Sequence, residues 1–214
     1  MNRNQVSLEL PEYLEMDRSQ IEKTLFTAQE KVRTFAASHN WGLYANEALI
    51  KKTHIFSTKN EFDYAVITAF DLNSNTVLPL TVSAIIANDE LLMVSPNVYA
   101  EIYPQGKEEN SYKKLIIHEL AHALHIRILN GDEEKMGPKW FFEGFAIYAA
   151  KQFESHRNIL SDDEIWEIIL TDKETNYQSY KEVMDFLLEK VSINELVAHA
   201  WKSNFLEFLQ STLG

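Results

Sequence analysis

The chain has no cysteine, and this absence limits its chemistry at once. Neither a disulfide nor a thiolate zinc site is available, so a bound zinc ion would need histidine and carboxylate ligands. No apolar run approaches the length of about 20 residues that crosses a bilayer. Residues 1–17 are polar and acidic, without the apolar core of a signal peptide. These absences predict a cytoplasmic protein that has no membrane partner.

Positive charge is also scarce. The chain has 20 lysine and arginine residues against 32 aspartate and glutamate residues, for a formal net charge of −12. Nucleic acids and anionic membranes bind basic surfaces, so neither is expected as a partner. With 214 residues, of which 45% are hydrophobic, the chain can bury a sizeable core. One compact domain over residues 1–214 is predicted, while the oligomeric state stays open.

The first half of the chain changes character near residue 43. An S-x-x-E capping box at 19–22 and apolar residues at helical spacing predict a helix over roughly 19–38. Residues 43–95 are instead rich in β-branched and aromatic residues and are interrupted by turn sequences. They predict an antiparallel sheet of three to five strands. The expected strands are 64–70, 76–78, 81–86 and 91–94.

The second half is predicted to be helical. One amphipathic helix should run from Ser111 to about Gly131, and Pro138 suits the first turn of a helix that ends near 153. Further helices are expected at 161–170, 177–190 and 192–208. The fold class is therefore α+β: a small, mainly antiparallel sheet packed on the 111–131 helix, followed by a helical lobe. The N-lobe would span 1–130 and the C-lobe 131–214.

The helix at 111–131 carries the sequence H-E-L-A-H at positions 118–122. His118 and His122 are four residues apart, so on a helix they share a face and can bind one metal ion. Glu119 lies about 100° round the helix from His118, where it can reach a water on the metal without being a ligand. His125 is about 10 Å further along the axis, too far to bind the same ion, and is expected to line the site or to support the ligands from just outside it. The alternative is a pair of partly buried histidines that only satisfy hydrogen bonds.

A third ligand is needed, because catalytic zinc sites use three protein ligands and one water. Residues 140–146 read W-F-F-E-G-F-A, so Glu143 is charged within an aromatic, helical run. A carboxylate in such surroundings is costly unless it is paired or coordinates a metal. It follows His122 by 143 − 122 = 21 positions, enough for a loop and a second helix to present it to the same ion. The alternative is that Glu143 caps its helix or forms an ion pair at the helix start.

The two motifs together resemble the gluzincin metallopeptidases. The resemblance is closest to peptidase MA-like domains and to the catalytic domain of aminopeptidase N relatives, whose second motif is W-x-x-E-G-x-A. It covers roughly residues 76–210. It implies a thermolysin-like fold and one Zn²⁺ per chain, bound by His118, His122 and Glu143, with Glu119 as the general base of peptide hydrolysis.

These families also carry a downstream tyrosine that hydrogen-bonds the tetrahedral intermediate. By resemblance, Tyr177 matches this position best and Tyr180 is the second candidate. Two features depart from the family pattern. The aminopeptidase motif G-x-M-E-N is absent, which argues against aminopeptidase activity. Ile147 stands four residues after Glu143, where some gluzincins have an aspartate that orients a histidine ligand, so the orienting group must come from elsewhere.

The predicted function is zinc-dependent hydrolysis of a peptide or protein substrate, with the strand at 81–87 pairing to an extended peptide. One alternative is a non-catalytic protein of the same fold that binds zinc or peptide, although a structural site has no need of Glu119. Another is a metal-dependent hydrolase of a non-peptide amide. The last is an interaction module with an accidental H-E-x-x-H, which leaves Glu143 unexplained.

Overall fold

A computed structural model of the chain describes residues 6–103, 106–107, 109–156 and 159–213. Over these residues the α-helices are α1 (Arg18–Ser38), α2 (Lys59–Ala69), α3 (Pro96–Ile102), α4 (Ser111–Ile128), α5 (Lys139–Ala150), α6 (Asp162–Thr171), α7 (Tyr177–Leu188), α8 (Ile193–His199) and α9 (Phe205–Leu213). Short 3₁₀ helices cover Glu12–Asp17, Gly42–Ala45 and Glu133–Met136. The strands are β1 (Ser7–Glu9), β2 (Lys52–Phe56), β3 (Ala84–Ala87) and β4 (Glu90–Val94). The chain is therefore mixed α and β.

The four strands form one mixed sheet in the order β1-β2-β4-β3. β1 pairs parallel with β2, and β2 pairs parallel with β4, while β3 is antiparallel to β4. The prediction of a mainly antiparallel sheet was wrong. Because α1 connects β1 to β2 and α2 lies between β2 and β4, both connections are helical crossovers, which join parallel strands. Only the short turn between β3 and β4 allows antiparallel pairing.

The expected strand at 64–70 is part of helix α2. The helix begins at a capping box in which the Thr58 hydroxyl accepts the Glu61 N–H and the Glu61 carboxylate accepts the Thr58 N–H. Phe62 and Val66, four residues apart, are buried, whereas Tyr64 between them is 75% exposed. This is helical periodicity. The β-branched and aromatic composition of the segment outweighed that spacing in the sequence interpretation.

The other expected strands had mixed outcomes. The strand at 91–94 is confirmed within β4, and that at 81–86 shrinks to β3 at Ala84–Ala87. No strand forms at 76–78. The N-terminal segment before α1 contributes strand β1, which was not predicted, and residues 1–5 lie outside the described part of the chain. β2 was not predicted, although its buried positions alternate as in a half-buried strand.

The predictions of helices agree with the structure more closely than the predictions of strands. Helices α1 and α4 to α7 lie where the sequence placed them, and the capping box at 161–164 is present. The box at 192–195 is also present, but the helix that it opens stops at His199, and α9 starts at Phe205. The box predicted at 19–22 is absent, because α1 already begins at Arg18 after the N-cap residue Asp17.

Helix α4 lies at the centre of the molecule, packed against α1, α5 and β3, and α5 in turn packs against α7. Ten consecutive positions of α4, from Leu115 to Leu124, are buried with the single exception of His122. The helix is therefore buried on nearly all sides rather than amphipathic as predicted. Among the described residues, none of the helices combines the length and the apolar character needed to span a membrane.

Candidate metal centre

Helix α4 brings its two motif histidines together. The Nε2 atoms of His118 and His122 lie 3.1 Å apart, and the side chains are 6% and 16% exposed. Their spacing of four residues places both rings on one face of the helix, as the sequence predicted. Both therefore present a ring nitrogen to the same point in space.

Glu143 reaches that point from helix α5. Its Oε2 atom lies 3.1 Å from Nε2 of His118 and 3.7 Å from Nε2 of His122. Zinc bonds of 2.0–2.1 Å in a tetrahedral site separate two ligand atoms by about 3.3 Å. The three observed separations fall around that value. His118, His122 and Glu143 therefore form a group that could hold one metal ion, as predicted.

The packing of α5 on α7 sets the position of Glu143. The buried rings of Trp140 and Phe145 fix the rotation of α5 about its axis. At Gly144, an added Cβ atom would lie 2.3 Å from Cγ of Met184 on α7. Real Cβ atoms essentially never approach so closely, so the glycine permits the tight contact between the two helices. The Glu-Gly pair therefore supplies a ligand and the close packing beside it.

Gln152 orients the first histidine. Its Oε1 atom lies 2.9 Å from Nδ1 of His118. An Nδ1–H that donates to this amide holds the ring so that Nε2 faces Glu143, and Nε2 is then the nitrogen available to bind a metal once it loses its proton. Lys151, in the left-handed conformation, ends α5, and the Gln152 N–H donates to the carbonyl of Ile147. This turn folds the Gln152 side chain back toward α4.

The sequence interpretation missed Gln152. It required an orienting group other than Ile147, but gave no position for it. Gln152 is polar, lies just beyond the end of a helix, and has neighbours in sequence that do not distinguish it. For His122, Nδ1 is buried and has no hydrogen-bond partner among the described residues. The two histidines are therefore held differently.

The three ligand candidates favour a charged carboxylate. Burial acts to raise the pKa of Glu143, but the hydrogen bonds and charges of His118 and His122 outweigh it and hold this pKa well below its ordinary value. Burial likewise acts to lower the pKa of His118, and the hydrogen bond and charge of Glu143 reverse the shift, so that pKa is raised. The site is a preformed carboxylate–imidazole cluster, whose charge suits a cation.

Glu119 lies beside this cluster on the wall of the same cleft. Its side chain is buried, and burial raises its pKa, against the opposing charges of His118 and His122. A carboxylate with a raised pKa is a better proton acceptor near neutral pH than an ordinary glutamate. Glu119 does not belong to the ligand group, which agrees with its expected position off the metal-binding face.

The structure separates the two candidate tyrosines. Tyr177, the first residue of α7, lines the cleft, and its ring centroid is 5.9 Å from that of His118. Burial and the charges of Glu143 and Glu119 raise its pKa, so the phenol keeps its proton and can donate it in a hydrogen bond. Tyr180 is buried outside the lining of the cleft, and its hydroxyl accepts the Thr175 N–H at 3.2 Å. Only Tyr177 is brought into the site.

His125 does not line the site, contrary to the prediction. It is fully buried, stacked on Phe145 with ring centroids 4.5 Å apart and edge-on to Phe141 at 5.7 Å. Neither of its ring nitrogens has a hydrogen-bond partner among the described residues. Burial, together with the charge of His122, lowers its pKa to about 3. It is a neutral residue of the core.

The candidate metal-binding residues open onto a cleft of about 920 Å³. Helix α4, the edge strand β3 and the segment before β3 line it. Its apolar lining residues are Leu49, Phe70, Val82, Ile85, Ile86, Ala123, Ile126, Met136 and Phe142. The cleft can therefore accept an extended, partly apolar molecule beside the metal-binding group.

Comparison with known proteins adds no relative to this picture. No family model, no curated protein and no solved structure matches the chain.

Proposed function

We propose that the chain is a zinc-dependent peptidase of the gluzincin type. The observation that carries the proposal is the convergence of His118, His122 and Glu143, with their ligand atoms 3.1 to 3.7 Å apart. Two imidazoles and one carboxylate, with no cysteine in the chain, are the ligand set of a catalytic zinc site. The zinc, the thermolysin-like fold and the catalytic roles are parts of this proposal.

A zinc ion in this group would lower the pKa of a bound water and polarise the substrate carbonyl. Glu119 takes a proton from the attacking water as the new C–O bond forms. It then gives that proton to the amide nitrogen as the C–N bond breaks, so that the amine leaves neutral. The Tyr177 hydroxyl donates a hydrogen bond to the oxyanion of the tetrahedral intermediate.

The edge strand β3 supports a peptide as the substrate. Among the described strands, β3 pairs with β4 alone, and Ala84, Ile85, Ile86 and Ala87 all line the cleft. The free edge of a strand offers N–H and C=O groups to an added extended chain. A peptide bound in this way would run past Glu119 with its side chains against the apolar lining. This geometry favours a peptide over a compact amide.

The test is hydrolysis of an internally quenched peptide library by the zinc-loaded wild type and by Glu119→Gln. Glu119→Gln keeps the shape of the side chain but cannot accept the proton, so activity should fall by about 10²–10⁴-fold while zinc stays bound. Glu134→Gln, at an exposed acid of the 3₁₀ helix Glu133–Met136 that is not among the described lining residues of the cleft, is the matched control and should retain activity. Turnover by Glu119→Gln at the wild-type rate would refute the role of Glu119. Full zinc loading without any hydrolysis would instead favour a non-catalytic zinc protein.

A further inference from the structure

A second cavity, of about 850 Å³, lies behind the metal centre. On α4 it is lined by Lys113, Lys114 and Ile117, whereas the cleft uses positions from His118 to Arg127. At 100° per residue these two sets point to opposite sides of the helix. The two cavities share no lining residue among those that the structure describes. The volume is within the range of about 300–1,000 Å³ that is usual for small-molecule sites.

The charge of this cavity is opposite to that of the chain. Its described lining includes five of the chain's 20 basic residues, but two of its 32 acidic residues. The lysines are Lys31, Lys113, Lys114, Lys151 and Lys181, and the acids are Glu154 and Asp185. In a chain with a net charge of −12, a cavity with three excess positive charges is a selective place for a small anion.

The acids do not neutralise all of these lysines. Glu154 is shared by Lys114 and Lys151, at 3.6 and 4.0 Å, and Asp185 pairs with Lys181. Lys31 and Lys113 form no ion pair with any described residue. Among the described residues, the Lys113 ammonium donates a hydrogen bond to the Asn110 side-chain oxygen, at 2.8 Å. Two cations are therefore available to a ligand.

The excess of lysines indicates a multiply charged anion. The three excess positive charges of the described lining match a di- or triphosphate better than a single carboxylate. Lysine ammonium groups bind phosphate oxygens as compact point charges. The Thr34 and Ser38 hydroxyls, on the α1 side of the cavity, donate to the backbone carbonyls of Glu30 and Phe35, so the lysines supply the donors for an anion.

The cavity is also lined by aromatic residues. Phe35, His39 and Tyr148 line it and contact one another, with ring centroids 4.7 to 6.4 Å apart. Tyr148 is 39% exposed, so part of its ring is open to a ligand. Aromatic side chains stack on the flat rings of ligands.

We propose that this cavity binds a small phosphorylated molecule that carries an aromatic ring, of the nucleotide class, with the phosphates at Lys31 and Lys113 and the ring at Tyr148. Gln152, which contacts His118, lines this cavity, but none of the three candidate metal ligands does, and the inference does not depend on the peptidase proposal. The overall negative charge still disfavours long polyanions, which would meet acidic surface outside the cavity.

Calorimetric titration of the purified protein with ATP, pyrophosphate and adenosine tests the proposal. ATP should bind more tightly than either fragment, because it carries both the phosphates for the lysines and the ring for Tyr148, and its binding should weaken as salt is added. Lys31→Gln and Lys113→Gln should each weaken ATP binding by about fivefold or more. Tyr148→Leu should weaken ATP binding and leave pyrophosphate binding unchanged.

Three controls make the result decisive. Lys23→Gln, an exposed lysine of α1 outside the cavity, should bind ATP as the wild type does. His122→Ala removes a metal ligand and should also bind ATP normally, which separates this site from ATP bound at the metal. Thermal unfolding of each variant checks that it is folded. No ATP binding, equal binding by the Lys31, Lys113 and Lys23 variants, or loss of binding in His122→Ala would each overturn the proposal.

Discussion

Two histidines seven residues apart on helix α4 have opposite surroundings. His118 is 5% exposed, with Gln152 at one ring nitrogen and Glu143 at the other. His125 is fully buried against Phe141 and Phe145, without a hydrogen-bond partner among the described residues. Burial acts to lower the pKa of both rings, yet that of His118 is raised and that of His125 is lowered. The acceptors around a buried histidine, and not its burial, distinguish a candidate ligand from a core residue.

The largest expected effect is the difference in zinc affinity between variants of the two histidines. His118→Ala should weaken zinc binding by more than the factor of about 10–100 that is typical of losing an outer partner, and peptide hydrolysis should fall with it. His125→Leu, the matched control, should keep both within about twofold, because it removes no ligand. Equilibrium zinc competition with a chromophoric chelator measures the affinity. Equal losses in the two variants would break the distinction drawn between them.

A smaller effect concerns the group that holds His118. Gln152→Leu removes the acceptor at Nδ1 and should weaken zinc binding by about 10–100-fold. Gln152→Glu keeps an acceptor there and should restore the affinity, which a purely steric role for Gln152 does not predict. Competition titrations of the two variants against the wild type test this. Identical affinities for Gln152→Leu and the wild type would remove the orienting role.

Low pH should reduce the contribution of His125 to the stability of the protein. Because its folded pKa, about 3, is below the ordinary value of 6.5, the unfolded state takes up the proton first. The contribution of His125 to stability is therefore complete above pH 6.5 and is lost as the pH falls toward 3. At pH 5 the loss is about 2 kcal/mol. Urea unfolding at pH 7.5 and pH 5, with EDTA present to remove metal effects, should show His125→Leu losing that much less stability than the wild type. The same pH dependence in both proteins would contradict the buried, neutral state of His125.

The smallest expected effect is the change in stability that His125→Leu causes at neutral pH. His125 leaves two buried nitrogens without described partners, an arrangement that costs about 1–3 kcal/mol, whereas its ring contacts contribute about 0.5–1.5 kcal/mol. His125→Leu should therefore stabilise the protein by roughly 1 kcal/mol. Urea unfolding at pH 7.5 in the presence of EDTA measures it. A destabilisation of similar size would mean that the ring has a partner that the aromatic contacts do not reveal.

The candidate site could be predicted largely from the sequence, because helix geometry fixes its two histidines and the charge of Glu143 stands out. The spacing of His118 and His122 determines their shared face, and the isolated charge of Glu143 within an aromatic run marks it as a partner. Gln152 could not be predicted, since its contact with His118 depends on how the chain turns after α5. The choice of Tyr177 over Tyr180 likewise required the packing of α7 on α5.

The sheet was less predictable, for a physical reason. Strand preference reflects packing on neighbouring strands, so composition alone placed a strand where Thr58 and Glu61 start helix α2. That one error also reversed the expected strand direction, because a helix between β2 and β4 makes their connection a crossover. The parallel pairing follows once the helix is recognised.

The zinc content of the purified protein tests the central claim most directly. Elemental analysis after dialysis against limiting zinc should give about one zinc per chain for the wild type and for Glu134→Gln. Glu143→Gln, which replaces the carboxylate by a neutral amide, should retain no more than about a tenth of the zinc that the wild type retains. A wild-type protein that holds no zinc and takes none up, or a Glu143→Gln variant that binds as much as the wild type, would contradict the assignment of His118, His122 and Glu143 as the metal site.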